Sequence, residues 1–226
     1  MDFSCQDKTE ALCASAREAV RKTRFVVVGV GALGCAAAQA LVRSGAEELV
    51  LVDDDSVEVD NLPRQVLFVK EDVGMRKASV AAERLRALDP GLRVSVENER
   101  LDADNVSSLL EGAGVVVECT DNLAARRVID GYCAASSTPW VHAAVAGAKG
   151  EAMAVLPGSK GYGDMVEGKV VSEDCANEGV LSVNAIMTGT FEAMLALRVA
   201  SGQDEGLLGV LFRLDAWSGA VDRFRL

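Results

Sequence analysis

No two of the six cysteines (Cys5, Cys13, Cys35, Cys119, Cys133, Cys175) stand in a C-x-x-C pair, and the chain has 1 histidine. A structural zinc site, which draws four ligands from closely spaced Cys and His, is therefore not expected. Disulfide staples are not expected either, because 226 residues that are 50% hydrophobic can bury a core without them. No apolar run reaches the roughly 20 residues that span a bilayer. The opening stretch MDFSCQDKTEALCASAREAVRKT is charged where a secretion signal needs an apolar centre, so the chain reads as cytoplasmic with no membrane partner. Cations are scarce as well. With 23 Lys and Arg against 34 Asp and Glu, the formal charge of −11 makes the phosphate backbone of a nucleic acid a poor partner.

What is present alternates between strand and helix. After a helical stretch at 9–22, RFVVVG (24–29) is a short β-branched run suited to a strand buried on both faces. An Ala-rich helix (32–45) stopped by Gly45 leads to the strand ELVLVD (48–53), then a helix (75–88) ended by DPG and a strand at 92–97. A short helix at ADNVSSLLE, a strand at 114–120, the helix NLAARRVIDGYCAAS and strands at 139–145 and 151–156 follow. An apolar helix at 182–202 and a hairpin across WSG end the chain. The expected fold is α/β: a Rossmann-like, mostly parallel sheet with helices on both faces, extended by a C-terminal antiparallel hairpin, all in one domain spanning 1–226. Residues 1–23 supply an N-terminal helix. The segment 157–181, rich in Gly and charge over most of its length, is too long for an ordinary connector and is read as an active-site or crossover loop.

The first strand runs into Gly29-Val30-Gly31-Ala32-Leu33-Gly34, a G-x-G-x-x-G between strand and helix, and Asp53 closes the second strand. Glycines there let the backbone approach phosphate at a helix N-terminus, and a strand-end acid accepts hydrogen bonds from ribose hydroxyls. Alone, this pattern suggests NAD. The next residues change the inference, because LVDDDSVEVDNLPRQVLF places Asn61, Arg64 and Gln65 just beyond the strand end, where ligands of open α/β sheets bind. Arg64 offers a rigid fork to phosphate oxygens and Lys77 a point charge. Two cations beside a glycine turn suit a triphosphate better than a nicotinamide. ECTDN sets Asp121 at another strand end; one carboxylate facing phosphates is what Mg²⁺ usually receives from a protein. Thr120 or Asp121 could equally cap the following helix, and the two roles are compatible.

In GVGALG, DDDSVEVDNLPRQ, GMRKA, ECTDN and CANEGVLSVNAIMTGTFEAMLAL, the chain resembles the ThiF/MoeB/HesA enzymes, relatives of the ubiquitin-activating enzymes. The resemblance implies adenylation, with ATP and Mg²⁺, of the C-terminal Gly-Gly carboxylate of a small ubiquitin-like sulfur-carrier protein by a homodimer. It puts Asp53 on the ribose, Gly31 at the phosphates, Asn61, Arg64, Gln65 and Lys77 around the triphosphate, and Asp121 on the metal. It adds Gly29, Ala32, Gly34, Asp55 and Asn122 to the nucleotide-contacting set. Cys175 falls where sulfur-transferring members carry a reactive cysteine; a small buried hydrophobe is the competing reading. Two departures stand out: the paired C-x-x-C zinc ligands of many members are absent, and so is the N-terminal RYSRQ that lends an arginine to a neighbouring subunit. Arg17 or Arg21 could stand in, although helix-surface charge is the plainer role for both. His142 is expected to be a packing residue, and Cys35 and Cys133 core.

Three other functions compete. An NAD(P)-dependent oxidoreductase explains the glycine turn and Asp53 but leaves NLPRQ, Lys77 and Asp121 without a task. A tRNA-modifying dehydratase relative sits poorly with the acidic balance. A non-catalytic scaffold would have lost the phosphate-site residues that are here.

Overall fold

Period-two alternation in the β-branched runs decides the architecture. In the computed structural model, which describes residues 1–159, 161–163 and 179–226, the strand β1 (Arg24–Val28) turns Phe25 and Val27 to one face and Val26 and Val28 to the other. Both faces are buried, so both must be covered. The neighbouring strands β2 (Glu48–Val52), β3 (Arg93–Glu97), β4 (Val115–Glu118) and β5 (Trp140–Ala146) lie parallel to one another and to β1. Helix α1 (Ala14–Lys22) leads into β1, and the strands are joined through helices α2 (Ala32–Arg43), α3 (Lys77–Leu88), α4 (Val106–Leu109) and α5 (Leu123–Ser136). Phe25, Leu49, Leu51 and Val117 pack with Leu41, Leu85 and Leu195 on one face; Val26, Val50 and Val116 pack with Leu110, Ile129 and Trp140 on the other. Each such side chain contributes about 2 kcal/mol by leaving water.

The sheet has eight strands in the order β3-β2-β1-β4-β5-β6-β7-β8. After β5 the pairing becomes antiparallel through β6 (Lys149–Val155), β7 (Val210–Asp215) and β8 (Ala220–Arg225). The antiparallel part thus begins one strand earlier than a terminal hairpin would require. Ala146 pairs with Lys149, leaving only Gly147 and Ala148 between β5 and β6, and two residues cannot make the crossover that a parallel neighbour needs. Helix α6 (Ser182–Ala200) covers β4, β5 and β6 and packs along α2. Its apolar surface is mostly consumed by this packing: Ala185, Ala193, Leu195 and Ala196 are buried, while Val183 and Ile186 stay exposed. No described helix is long and apolar enough to cross a membrane.

Candidate functional site

The strand order reverses direction of winding between β1 and β4, so the crevice at their C-terminal ends is the place where such sheets take ligands. Three expected site segments leave the sheet there, after β1, β2 and β4. Gly29, directly after β1, has φ +89, and a methyl at its Cα would fall 2.7 Å from the carbonyl oxygen of Cys119 on the next strand. Gly34 packs closer still, its hypothetical methyl lying 1.9 Å from the Gly29 carbonyl oxygen. These two glycines draw α2 tightly against the sheet. Gly31 is different: as N-cap of α2 it faces open space apart from the Gln65 amide, with Nε2 3.8 Å from where a Cβ would sit. Ala32 opens the helix, whose first N–H groups have no partner within it and carry the positive end of its dipole.

Asp53 folds over this turn. Its Oδ2 accepts the Val30 N–H at 2.6 Å and its Oδ1 the Asp55 N–H at 2.8 Å. Burial raises its pKa above the usual carboxylate range, an effect that the two backbone donors and Lys77 oppose. Lys77, buried at the start of α3, gives its backbone N–H to the Asp55 carbonyl at 3.0 Å and its ammonium to Asp55 Oδ2 at 2.7 Å. Arg76 clasps the Asp54 carbonyl. The Asp53, Asp54 and Asp55 carboxylates converge to within 4.8 Å, but backbone donors and Lys77 already engage Asp53 and Asp55.

The segment NLPRQ starts in a 3-10 turn, Val59–Asn61, closed by the Asn61 side chain, which accepts from Glu58 N–H at 3.2 Å and donates to Asp60 Oδ1 at 2.8 Å. Arg64 is half-buried, and its Nη1 donates to the Asp60 carbonyl at 2.6 Å, which occupies one of its five N–H groups. Gln65 is 4% exposed, and its Oε1 is buried without a hydrogen-bond partner among the described residues. A buried amide oxygen left unpaired beside an open glycine turn is poised for a donor from a ligand. Asp121 is exposed and free of hydrogen bonds among the described residues, since the cap of α5 is neither Thr120 nor Asp121: Asn122 accepts the Ala125 N–H at 2.9 Å. Cys175 lies outside the described residues.

The remaining sequence expectations divide. Cys35 and Cys133 are core, and burial pushes each thiol up to about 12. Arg17 is not a surface charge: it is 7% exposed, gripped by Asp7 Oδ1 at 2.6 Å and stacked 4.7 Å above the Phe3 ring. It lies beside Gly45, past the C-terminal end of α2, at the sheet edge opposite the glycine turn. Arg21 is exposed and pairs with Glu47 at 2.7 Å.

Sequence reasoning missed a buried polar cluster under the Asp121 corner. Glu118, fully buried at the end of β4, accepts from Arg126 Nε at 2.9 Å, from His142 Nδ1 at 2.7 Å, and from the backbone and hydroxyl of Thr120. Arg126 also reaches the Tyr162 hydroxyl at 3.1 Å and the Thr120 carbonyl at 3.3 Å. Glu192 of α6, fully buried beside it, accepts the Cys119 thiol at 3.3 Å, and burial together with the Glu118 charge raises its pKa well above the usual range. The signal was in the sequence: an acid inside the apolar run GVVVECT.

A parallel sheet with a glycine turn and a strand-end acid at its switch point is the architecture of Rossmann-like nucleotide-binding proteins. Comparison with known proteins narrows this. The chain belongs to the ThiF family, which it matches over residues 5–226. It is 38% identical over 198 residues to the SAMP-activating enzyme E1 of Haloferax volcanii, covering 86% of this chain and 73% of that one. It is 35% identical to the sulfur carrier protein adenylyltransferase of Thermus thermophilus (88% and 77% covered) and 31% identical to the sulfur carrier protein ThiS adenylyltransferase of Escherichia coli (89% and 82%). Among solved structures, E. coli MccB with ATP shares the fold with a TM-score of 0.81 at 19% identity, over 93% of this chain and 66% of that one.

Proposed function

We propose that the protein uses Mg·ATP to adenylate the C-terminal carboxylate of a small ubiquitin-like sulfur-carrier protein ending in Gly-Gly. The observation that carries this reading is a glycine turn with Asp53 folded over it and the buried cation Lys77 held beside them by Asp55, in a ThiF-family chain. Its relatives' names, an activating enzyme for SAMP and adenylyltransferases for sulfur carriers, support adenylyl transfer over the NAD(P) reading.

In the proposed reaction a carboxylate oxygen of the carrier attacks the α-phosphorus of ATP. The new C–O–P bond forms as the bond from the α-phosphorus to the oxygen bridging it to the β-phosphate breaks, and pyrophosphate leaves with that electron pair. A C-terminal carboxylate is ionised at pH 7, so no general base is required. Positioning and charge neutralisation are required instead. Asp53, already turned over the glycine turn, accepts from the ribose. Gly29, Gly31, Ala32 and Gly34 bring the α2 N-terminus to the phosphates, and Gln65 and Asn61 line the approach. Lys77 exchanges its Asp55 partner for a phosphate oxygen, and Arg64 turns its unused N–H groups to the same oxygens. Asp121 is the residue suited to hold Mg²⁺, with Asn122 beside it; the ion supplies further neutralisation of the phosphates. The reading needs no zinc. Cys175 is assigned to a step after the adenylate: its thiolate attacks the carrier's acyl carbon to form a thioester as the bond to AMP breaks and AMP leaves with the electron pair. A persulfide-linked intermediate would instead require Cys175 first to receive sulfane sulfur from a persulfide donor. A second copy of the chain is proposed to cover the exposed Val183 and Ile186 on α6 in a homodimer. The proposed setting is the cytoplasm.

Calorimetry separates the nucleotide classes. Mg·ATP is expected to bind and NADH to bind little; tight NADH binding without ATP binding would defeat the proposal.

A further inference from the structure

Glu118 and Arg126 are a buried ion pair, and a buried ion pair is a poor device for stability: desolvating both charges costs several kcal/mol, and apolar residues of similar volume often do as well. What distinguishes this pair is where its hydrogen bonds go. A carboxylate has about four acceptor sites, and Glu118 receives the Thr120 N–H at 3.0 Å, the Thr120 hydroxyl, Arg126 Nε at 2.9 Å and His142 Nδ1 at 2.7 Å. Arg126 Nη2 takes the Thr120 carbonyl at 3.3 Å. Thr120 is therefore held by its N–H, its hydroxyl and its carbonyl at once, and the carbonyl belongs to the peptide bond that leads into Asp121. The far side of the corner is fixed by the same helix, since Asn122 caps α5 and accepts the Arg126 N–H at 3.4 Å.

Arg126 is itself braced. Its Nη1 donates to the Tyr162 hydroxyl at 3.1 Å and its guanidinium lies 5.2 Å from the centre of the Tyr162 ring. Tyr162 is anchored in turn, because Asp130 of α5 accepts its backbone N–H at 3.1 Å and that of Gly163 at 3.0 Å. Each of the three nitrogens of the planar Arg126 guanidinium thus has a partner, an arrangement that a lysine ammonium cannot reproduce.

We propose that Arg126 is a positioning residue: with Glu118 and braced by Tyr162, it sets the orientation of Asp121 toward Mg²⁺ and the phosphates. The inference rests on the reading of Asp121 given above and assigns three residues that touch neither nucleotide nor metal. Residues that orient a metal-binding group typically matter about 10- to 100-fold for metal affinity or activity.

The test is Arg126→Lys, which keeps a charge for Glu118 but loses the fork, together with Tyr162→Phe, which loses one hydroxyl. Calorimetry of a non-hydrolysable ATP analogue across a Mg²⁺ titration reads the site without turnover, and ATP–pyrophosphate exchange reads kcat and KM. Arg126→Lys is expected to raise the Mg²⁺ concentration for half-maximal analogue binding by about tenfold. It is also expected to lower kcat by a similar factor, while analogue affinity at saturating Mg²⁺ stays within about twofold. Tyr162→Phe should act in the same direction and more weakly. The double variant should be no worse than Arg126→Lys, because Tyr162 acts through Arg126. Variants that lose thermal stability but keep the wild-type Mg²⁺ dependence and kcat would overturn the positioning role alone. A wild-type protein whose analogue binding ignores Mg²⁺ would overturn the Asp121 reading and this proposal with it.

Discussion

Replacing Glu192 with Gln tests whether the acid buried beneath the site is kept protonated. Glu192 is 0% exposed in the middle of α6, its Oε2 accepts the Cys119 thiol at 3.3 Å, and its Oε1 has no partner among the described residues. Burial first, and the Glu118 charge second, raise its folded pKa well above the usual value, whereas in the unfolded chain it is about 4.3. Between those two values the folded protein carries one more proton than the unfolded one. The stability linked to this group is therefore complete below about pH 4.3 and falls as pH rises toward the folded pKa, by about 1.4 kcal/mol per pH unit. Gln does not titrate, so the difference between the two proteins isolates Glu192 together with the groups coupled to it, Glu118 and Cys119. Urea denaturation at pH 5, 6 and 7, at one protein concentration, should give a difference between Glu192→Gln and wild type that grows in favour of the variant as pH rises, with a one-proton limit of about 1.4 kcal/mol per pH unit. The offset at any one pH is less telling, because the amide brings two donors that need partners. Parallel pH profiles would refute the reasoning, since Glu192 would then be ionised inside the fold.

The triphosphate clamp predicts that Arg64→Ala or Lys77→Ala lowers ATP–pyrophosphate exchange by about 10²-fold or more, on the order of 3 kcal/mol of transition-state stabilisation. Exchange near wild type in both variants would return the two residues to ordinary loop charges. Cys175→Ser should leave exchange intact and diminish thiocarboxylate formation on the carrier. If both activities persist, Cys175 is packing or a spectator and the enzyme's own part ends at the adenylate; if both vanish in a folded protein, the division of labour assigned to Cys175 is wrong.

Most of the sheet was legible because its strands announce themselves locally, as β-branched runs stopped by Gly or Asp. Strand β1 was read at 24–29 and runs Arg24–Val28; α6 was read at 182–202 and runs Ser182–Ala200. The start of α1 was not legible. A helix was expected from residue 9, but the Thr9 hydroxyl accepts the Leu12 N–H at 3.3 Å and Cys13 is extended, so the helix begins at Ala14. Short polar side chains that bond to nearby backbone compete with helix in this way, and single-residue propensity does not record it. The residues proposed to face the ligand are marked by their types at strand ends. The support beneath them is not legible, because Glu118, Arg126, His142 and Tyr162 are far apart in sequence and meet only when β4, α5, β5 and the segment 161–163 pack together. His142, read as a packing residue, is buried at 1% exposure and hydrogen-bonded inside that cluster. The pairing state of Lys77 likewise could not be seen in sequence. Asp55, expected at the nucleotide, also holds the lysine that the nucleotide is proposed to claim.

The central claim is that a carrier's C-terminal carboxylate is the group that attacks ATP, and carrier-dependent ATP–pyrophosphate exchange measures it most directly. The probe is a small ubiquitin-like sulfur carrier ending in Gly-Gly, compared with the same carrier amidated at its C-terminus. With Mg·ATP, the free carboxylate should support exchange and the amide should not, because the amide has no anionic oxygen to form the acyl–phosphate bond. Exchange that proceeds equally with the amidated carrier, or with no carrier at all, would contradict the account.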